Sequence, residues 1–207
     1  EVESIIPGAT TGVVRDYTIS LKCTDPYFKD LADIEVVMAS WASDFYFPAC
    51  FPEEGRIFGH READLVKEIE NDSGADNIGI VVIFRADGAV KNPAIYHAES
   101  GEFTKVGYLD NDFTMASGQY VIINTYTGKK NVYLLDGVTQ AEIESYKNAY
   151  GVIDWDTVIE KFGTVINEYL DEDGDFIQLQ DGTNTLTYSA DEGTNYLSVS
   201  VYYRISY

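Results

Sequence analysis

The residues of this chain with the clearest capacity to hold a metal ion are the carboxylates of residues 171–175 (DEDGD). Three aspartates at alternate positions are part of the EF-hand loop pattern, in which carboxylate oxygens coordinate Ca²⁺. However, the glycine stands one place too early for that loop, and no glutamate occupies the position of the bidentate ligand. The run therefore predicts a solvated turn before a strand, with no metal site.

Histidine and cysteine, the other common ligands and nucleophile partners, are scarce. The only two histidines, His60 and His97, have no Cys, His or Glu at metal-ligand spacing, so we expect each to be an ordinary strand or loop residue. The two cysteines, Cys23 and Cys50, are too few for a disulfide framework. Buried free thiols are the favoured state, and a single bridge is the alternative.

No motif in the sequence indicates catalysis. With 35 Asp and Glu residues, two carboxylates can always be nominated as general acid and base, but the spacing that matters is spatial. A glycine-rich phosphate loop, a nucleophile elbow and a Cys–His motif are all missing from the sequence. We therefore predict a protein that is not an enzyme and needs no cofactor, and these motifs leave its ligand-binding residues unknown.

Three large aromatic residues suggest a binding role of another kind. Trp41, Tyr46 or Trp155 could stack on a sugar ring, as aromatic faces do in carbohydrate-binding sandwiches. Side chains this apolar are more often used in core packing. We therefore expect both tryptophans to be substantially buried.

The charge of the chain argues against two classes of partner. Fourteen basic residues against 35 acidic ones give a net charge of −21 at neutral pH. A field of this sign repels phosphate backbones and anionic lipid surfaces, so neither a nucleic acid nor a membrane is expected as partner. No apolar run approaches the roughly 18–20 residues needed to cross a bilayer.

The elements that must position these residues are mostly strands, and the last strand organises the others. Residues 197–207 alternate between apolar and mostly polar side chains, which predicts one apolar and one mostly polar face. So long and apolar a strand must lie inside a sheet, because an exposed one would recruit other chains. Residues 176–180 and 185–189 predict two earlier strands, joined by a tight turn at Asp181 and Gly182.

The rest of the chain predicts short strands and one helical interruption. The strands are expected at residues 13–23, 34–39, 63–69, 78–85, 89–97, 103–108, 120–126 and 131–135, the last two as a hairpin, after a loop or frayed terminus at residues 1–12. A capping box between Thr139 and Glu142, and an N-cap at Asp154, predict a helical insertion over residues 139–169. Strands this short, with turns this frequent, indicate an all-β sandwich or barrel.

Several short stretches, taken in order, resemble the distal tail proteins of long-tailed (siphovirus-type) phages and prophages. They are residues 21–28 (LKCTDPYF), 90–95 (VKNPAI), 121–125 (VIINT) with 128–132 (GKKNV), 176–179 (FIQL) with 182–186 (GTNTL), and the final Tyr-Arg-x-x-Tyr. The resemblance covers roughly residues 13–207. It implies a galectin-like antiparallel β-sandwich over residues 60–207, preceded by the end of a ring-forming β domain (1–40) and an aromatic, proline-containing connection (41–59).

The resemblance also implies a function. In that family the ring domain forms a hexameric hub that joins the tail tube to the tail tip, while the sandwich projects outward. The expected role is thus a non-catalytic component of a phage or prophage tail tip, assembled in the bacterial cytoplasm and located in the virion tail. Its expected partners are the tail tube, a tail-tip lysin or receptor-binding protein, and further copies of itself in a homo-hexamer of the full-length protein.

This sequence departs from the family in lacking most of the ring domain and in having a longer helical insertion, which would offer an added contact surface. The main alternative is a carbohydrate-binding module of galectin-like fold. An enzyme such as a glycosidase is a third and weaker hypothesis.

Overall fold

The computed structural model describes residues 2–22, 29–30, 33–43, 59–75 and 77–205, and for residues 2, 41–43, 59 and 60 only the backbone. Within these ranges the chain forms fifteen strands and two α-helices. The strands are β1 Val2–Thr11, β2 Val14–Leu21, β3 Ile34–Ser43, β4 Gly59–Ala63, β5 Val66–Asn71, β6 Ile78–Ala86, β7 Val90–His97, β8 Phe103–Lys105, β9 Thr114–Met115, β10 Tyr120–Asn124, β11 Asn131–Leu135, β12 Thr164–Val165, β13 Gln178–Leu179, β14 Gly182–Glu192 and β15 Leu197–Tyr203. The helices are α1 Gln140–Glu144 and α2 Trp155–Phe162, and neither is long and apolar enough to cross a bilayer.

The strands form two antiparallel sheets and a separate two-stranded ribbon. The large sheet has the order β12-β11-β10-β6-β15-β3-β4, with β13 also paired to β6. The small sheet has the order β5-β14-β7-β8, with β9 also paired to β7, and β1 and β2 pair with each other. One hydrophobic core contains residues of both sheets, so the all-β sandwich architecture predicted from the sequence is confirmed.

Strand β6 is buried on both faces, which explains its uninterrupted apolar sequence. Ile80, Val82 and Phe84 lie in the core between the two sheets. Val81 and Ile83 point the other way, into a second cluster on the outer face of the large sheet. Because successive strand residues alternate between faces, a strand covered on both sides must be apolar throughout.

The final strand confirms the predicted alternation and the predicted central position. Leu197, Val199 and Val201 are fully buried in the core between the sheets. Strand β15 lies between β6 and β3, so neither of its edges is free. The strand is shorter than predicted, because it ends at Tyr203, and residues 206–207 lie outside the described part of the chain.

The helical insertion also forms as predicted, except that Thr164 and Val165, within the predicted range, pair with β11 as the short strand β12. Thr139 and Glu142 make a reciprocal capping box at the start of α1, and the side chain of Asp154 accepts the Thr157 N–H at the start of α2. Helix α2 buries Trp155, Val158 and Ile159 in the second cluster. The insertion therefore adds a third layer, outside the large sheet.

The N-terminal prediction is wrong: Val2–Thr11 is a strand rather than a loop. It pairs antiparallel with β2, and Gly12 takes a φ of +64° in the turn between them. Residues 2–11 show no clear apolar periodicity, so their extended conformation depends on pairing with β2. The predicted strand at residues 63–69 is also divided, since β4 belongs to the large sheet and β5 to the small one.

The tight turn predicted at Asp181 and Gly182 joins β13 to β14, but these two strands do not pair with each other as a hairpin. Strand β13 pairs with β6 in the large sheet, whereas β14 pairs with β5 and β7 in the small sheet. The turn therefore carries the chain from one sheet to the other. The hairpin of β10 and β11 forms as predicted, and β9 was not predicted.

The expected division at residues 41–59 does not separate two sheets. Strand β3 begins before it and yet pairs with β15, so residues 34–40 belong to the same sheet as the strands that follow. Residues 44–58 lie outside the described part of the chain, as do Cys23 and Cys50.

Candidate functional site

A groove of about 770 Å³ lies on the outer face of the large sheet, beside the helical insertion. Its floor includes Val37 of β3, Ser198 and Ser200 of β15, and Ile83 of β6. Its wall is formed by α1 and the segment that leads into α2, and it includes Gln140, Glu144, Lys147 and Trp155. We call this surface the insertion groove.

The groove exists because small side chains lie where the insertion ends. Ser200 stands between Val37 on β3 and Ile83 on β6 in the sheet register. Ile83 is covered by the insertion and only 5% exposed, whereas Val37 is 43% exposed. Serine at position 200 leaves the space between these two neighbours unfilled, and Ser198 continues the floor beside Arg85. The polar face predicted for the last strand is therefore the floor of the groove.

Arg85 connects the floor of the groove to its helical wall. Its Nη1 donates to Gln140 Oε1 at 2.8 Å, and its Nη2 lies 3.2 Å from Asp87 Oδ1. The guanidinium also lies over the Tyr120 ring, 6.0 Å from its centroid. The guanidinium thus adds a polar contact between α1 and the sheet, in addition to the burial of Ile143 from α1 in the second cluster.

Tyr202 orients a carboxylate at another point of the groove. Its hydroxyl donates to Glu35 Oε1 at 2.6 Å. Burial raises the pKa of Tyr202 far above its ordinary value, and the hydrogen bond to Glu35 raises that pKa further. The phenol therefore remains a protonated donor throughout the ordinary pH range and fixes the position of Glu35.

Trp155 packs edge-on against Tyr202, with 5.6 Å between the ring centroids. Its indole N–H interacts only weakly with the Tyr202 hydroxyl and makes no hydrogen bond of normal geometry to any described residue. Trp155 is only 7% exposed, which confirms the predicted burial. Its ring faces are therefore not open for stacking on a ligand.

The polar groups that remain available in the groove suit hydrogen bonding. Glu35 and Glu144 each use one carboxylate oxygen internally, accepting from Tyr202 and from Gln140 Nε2 respectively. The other oxygen of each accepts no hydrogen bond from a described residue, and the side chains of Ser200 and Lys147 are likewise unengaged within the described ranges. The arrangement can accept and donate several hydrogen bonds without further rearrangement.

His97 belongs to a network that sequence reasoning missed. It is 1% exposed at the end of β7, with Nδ1 2.8 Å from Ser100 Oγ. Its Nε2 lies 3.0 Å from Asn184 Oδ1 and 3.2 Å from Glu99 Oε2. The ring thereby fastens the turn after β7 to β14. Glu99 and Ser100 lie close to His97 in the sequence, so these two contacts could have been predicted. The contact with Asn184 could not, because Asn184 is 87 positions away in the chain.

The acidic run at residues 171–175 is a turn before a strand, as predicted. Asp171 Oδ1 accepts the Asp173 N–H at 3.1 Å, and Asp175 Oδ1 accepts the Phe176 N–H at 2.7 Å. The carboxylates therefore bind their own backbone. Among the described residues, no group of three or more His, Cys, Asp or Glu side chains could hold a metal ion.

The other residues singled out in the sequence have no described side chain. Trp41 lies in β3 and His60 in β4, where only the backbone is described, and Tyr46 lies outside the described ranges. Of the three aromatic residues proposed to stack on a sugar, only Trp155 can therefore be tested against the structure.

A second surface of functional interest is one face of the β1–β2 ribbon. Register pairs Ile5 with Ile19 and Pro7 with Tyr17, and Leu21 lies two residues further along the same face. The exposed fractions of Ile5, Ile19 and Leu21 are 59%, 57% and 72%. Strand alternation places Tyr17, Ile19 and Leu21 on one side of β2. We call this surface the ribbon face.

Comparison of the chain with protein-family models, with curated proteins and with solved structures finds no match.

Proposed function

We propose that this protein is a non-catalytic structural component of a phage or prophage tail tip, of the distal tail or baseplate hub kind. In this role it links the tail tube to the proteins of the tip. The sequence resemblance supplies the identity of the assembly. The observation that carries the structural role is the ribbon face, an apolar surface on an arm of two strands.

The physical argument starts from the stability of the ribbon. A two-stranded ribbon is at best marginally stable alone in water, and third strands or a packed face are needed to stabilise it. Here β1 and β2 pair with no other strand among the described residues, and their large apolar side chains are more than half exposed. Such a surface favours contact with another protein over exposure to water.

Charge favours a second copy of this chain as the occupant. Residues 2–21 carry one Arg against one Glu and one Asp, a net charge of −1, whereas the whole chain carries −21. Two copies repel each other over most of their surfaces. The ribbon face is a nearly neutral surface through which they can approach, in keeping with the homo-hexamer expected of the full-length protein.

The oligomeric part of the proposal is tested with a matched pair of double variants in the full chain. Ile19→Asp with Leu21→Asp charges the ribbon face, whereas Thr18→Asp with Ser20→Asp places the same charges on the opposite face. Light scattering after size exclusion should show an oligomer for the natural chain and for the control pair, and a monomer for the ribbon-face pair. A natural chain that is monomeric at every concentration would contradict a second copy as occupant.

The identity of the assembly is tested separately. Prophages of the bacterium that encodes this chain are induced, and the released particles are examined by electron microscopy with gold-labelled antibody against the chain. Gold at the distal end of the tail supports the proposal. Gold on the capsid, or particles without gold while the protein is present elsewhere in the lysate, would refute it.

A further inference from the structure

We propose that the insertion groove is a binding site for a neutral saccharide, recognised by hydrogen bonds rather than by aromatic stacking. This inference goes beyond the structural role, because it concerns a different surface from the ribbon face. It rests on the dimensions of the groove, on the groups that line it and on the burial of its aromatic rings.

The dimensions are those of a ligand site. Pockets that hold small molecules typically enclose about 300–1,000 Å³, and the insertion groove encloses about 770 Å³. Its floor belongs to three paired strands of the large sheet, and Arg85 ties its helical wall to that floor. A site built on rigid elements loses little conformational entropy when a ligand binds.

The polar groups of the groove are arranged in advance for a ligand with several hydroxyls. Glu35 is held by Tyr202 and Glu144 by Gln140, and each keeps one carboxylate oxygen free to accept from a hydroxyl. Ser200 can donate or accept, and Lys147 donates. A molecule that presents donors and acceptors on every side satisfies this set, as a saccharide does.

The charges of the groove are mixed, which favours a neutral ligand over an anionic one. Three carboxylates, on Glu35, Asp87 and Glu144, face two cations, on Arg85 and Lys147, so the lining is close to neutral. An anionic ligand is also repelled by the chain's net charge of −21. The chain's net negative charge attracts a cationic ligand, but within the groove Arg85 and Lys147 offset two of the three carboxylates, so there is no concentrated negative charge to hold a cation. A neutral ligand with both donors and acceptors fits this mixed lining.

The aromatic rings disfavour flat ligands. Tyr120, Trp155 and Tyr202 line the groove but are only 6%, 7% and 5% exposed. Their faces pack against protein, so they offer no open surface on which a planar ring could stack. The groove therefore lacks what nucleobases and other planar ligands require, whereas a non-planar sugar ring needs only the hydrogen-bonding groups.

The experiment uses the full chain on an array of neutral oligosaccharides that also carries sulfated ones, followed by titration of the bound neutral sugars. Two variants change the groove: Ser200→Trp fills its floor, and Glu144→Gln removes one charged acceptor. Glu68→Gln, an exposed change on β5 of the other sheet, is the matched control. Far-UV circular dichroism and thermal melting establish that each variant is folded.

We expect at least one neutral oligosaccharide to bind. Ser200→Trp should abolish the binding, Glu144→Gln should weaken it about tenfold, the effect of losing one charge-assisted hydrogen bond, and Glu68→Gln should leave it unchanged. If Ser200→Trp does not fold, the contrast between the two Glu→Gln variants decides. The proposal is wrong if no neutral sugar binds, if only sulfated sugars bind, or if both Glu→Gln variants bind like the natural chain.

Discussion

Replacing Val201 with Asp should destabilise the protein severely, because the residue lies at the centre of the large sheet. Val201 is fully buried and pairs with Val82 on β6 and Val36 on β3. The change loses the burial of a valine side chain, worth about 2 kcal/mol. It also places an unpaired carboxyl group in an apolar core, at a cost of roughly 3 kcal/mol or more. The sum, about 5 kcal/mol, is comparable with the whole stability of many domains.

The neighbouring residue provides the matched control. Ser200 faces the insertion groove, where a carboxylate can keep water around it and has Lys147 on the same surface. We expect Ser200→Asp to change the free energy of unfolding by less than about 1 kcal/mol. Val201→Thr extends the series, since its buried hydroxyl should cost about 2 kcal/mol and leave a folded protein to measure.

The assay is urea denaturation followed by far-UV circular dichroism, with the free energy of unfolding extrapolated to water. The expected order of destabilisation is Val201→Asp, then Val201→Thr, then Ser200→Asp. Equal losses from Val201→Asp and Ser200→Asp would mean that the two faces of β15 have been assigned wrongly. A Val201→Thr protein as stable as the natural chain would show that this position is not in the core.

Three further perturbations test other parts of the structure by the same denaturation assay. Gly107→Ala should lower the free energy of unfolding by several kcal/mol, since φ is +99° and the new Cβ would lie 1.9 Å from Asn92 Oδ1. Gly128→Ala, at φ +81° in open space, should lower it by only about 1 kcal/mol. Equal losses from the two variants would contradict the clash at Gly107. Asp154→Ala removes the N-cap of α2 and should cost about 1 kcal/mol, whereas no loss would mean that the cap contributes nothing. The hydrogen bond from Asn92, together with that from Lys105, lowers the pKa of Asp191. Its stabilising contribution should therefore be full above the unfolded pKa of about 3.9 and be lost as pH falls through the lower folded value, so the stability difference between the natural chain and Asp191→Asn should narrow in acid; a constant difference would contradict this linkage.

Much of the local structure could be predicted because its causes are local. The alternation of β15, the capping box at Thr139 and the cap at Asp154 are each contained in a few consecutive residues, and each is confirmed. The burial of Trp155 followed from its place on the apolar face of a short helix. The acidic turn at residues 171–175 was predictable because its carboxylates bind the backbone beside them.

The candidate site could not be predicted, because its parts come from four separate segments of the chain. Glu35, Arg85, Glu144 and Ser200 meet only when β3, β6 and β15 align and the insertion folds over part of their outer face. Nothing in the sequence around any one of them marks it as part of a groove. The same reason applies to His97, whose partner Asn184 is brought near by the pairing of β7 with β14.

By itself the sequence determined most of the extended and helical segments and the apolar side of the last strand and of α2, because these properties depend on periodicity, capping and turn residues. Only the tertiary structure decided which strand pairs with which: that β1 is a strand at all, that β13 and β14 belong to different sheets, and that β3 joins β15. Pairing depends on side chains from distant segments that fit together in a shared core, and this information is not contained in any one stretch of the chain. The insertion groove also depends on the tertiary structure. It is the space that small side chains of the large sheet leave beside the edge of the helical insertion packed on that sheet.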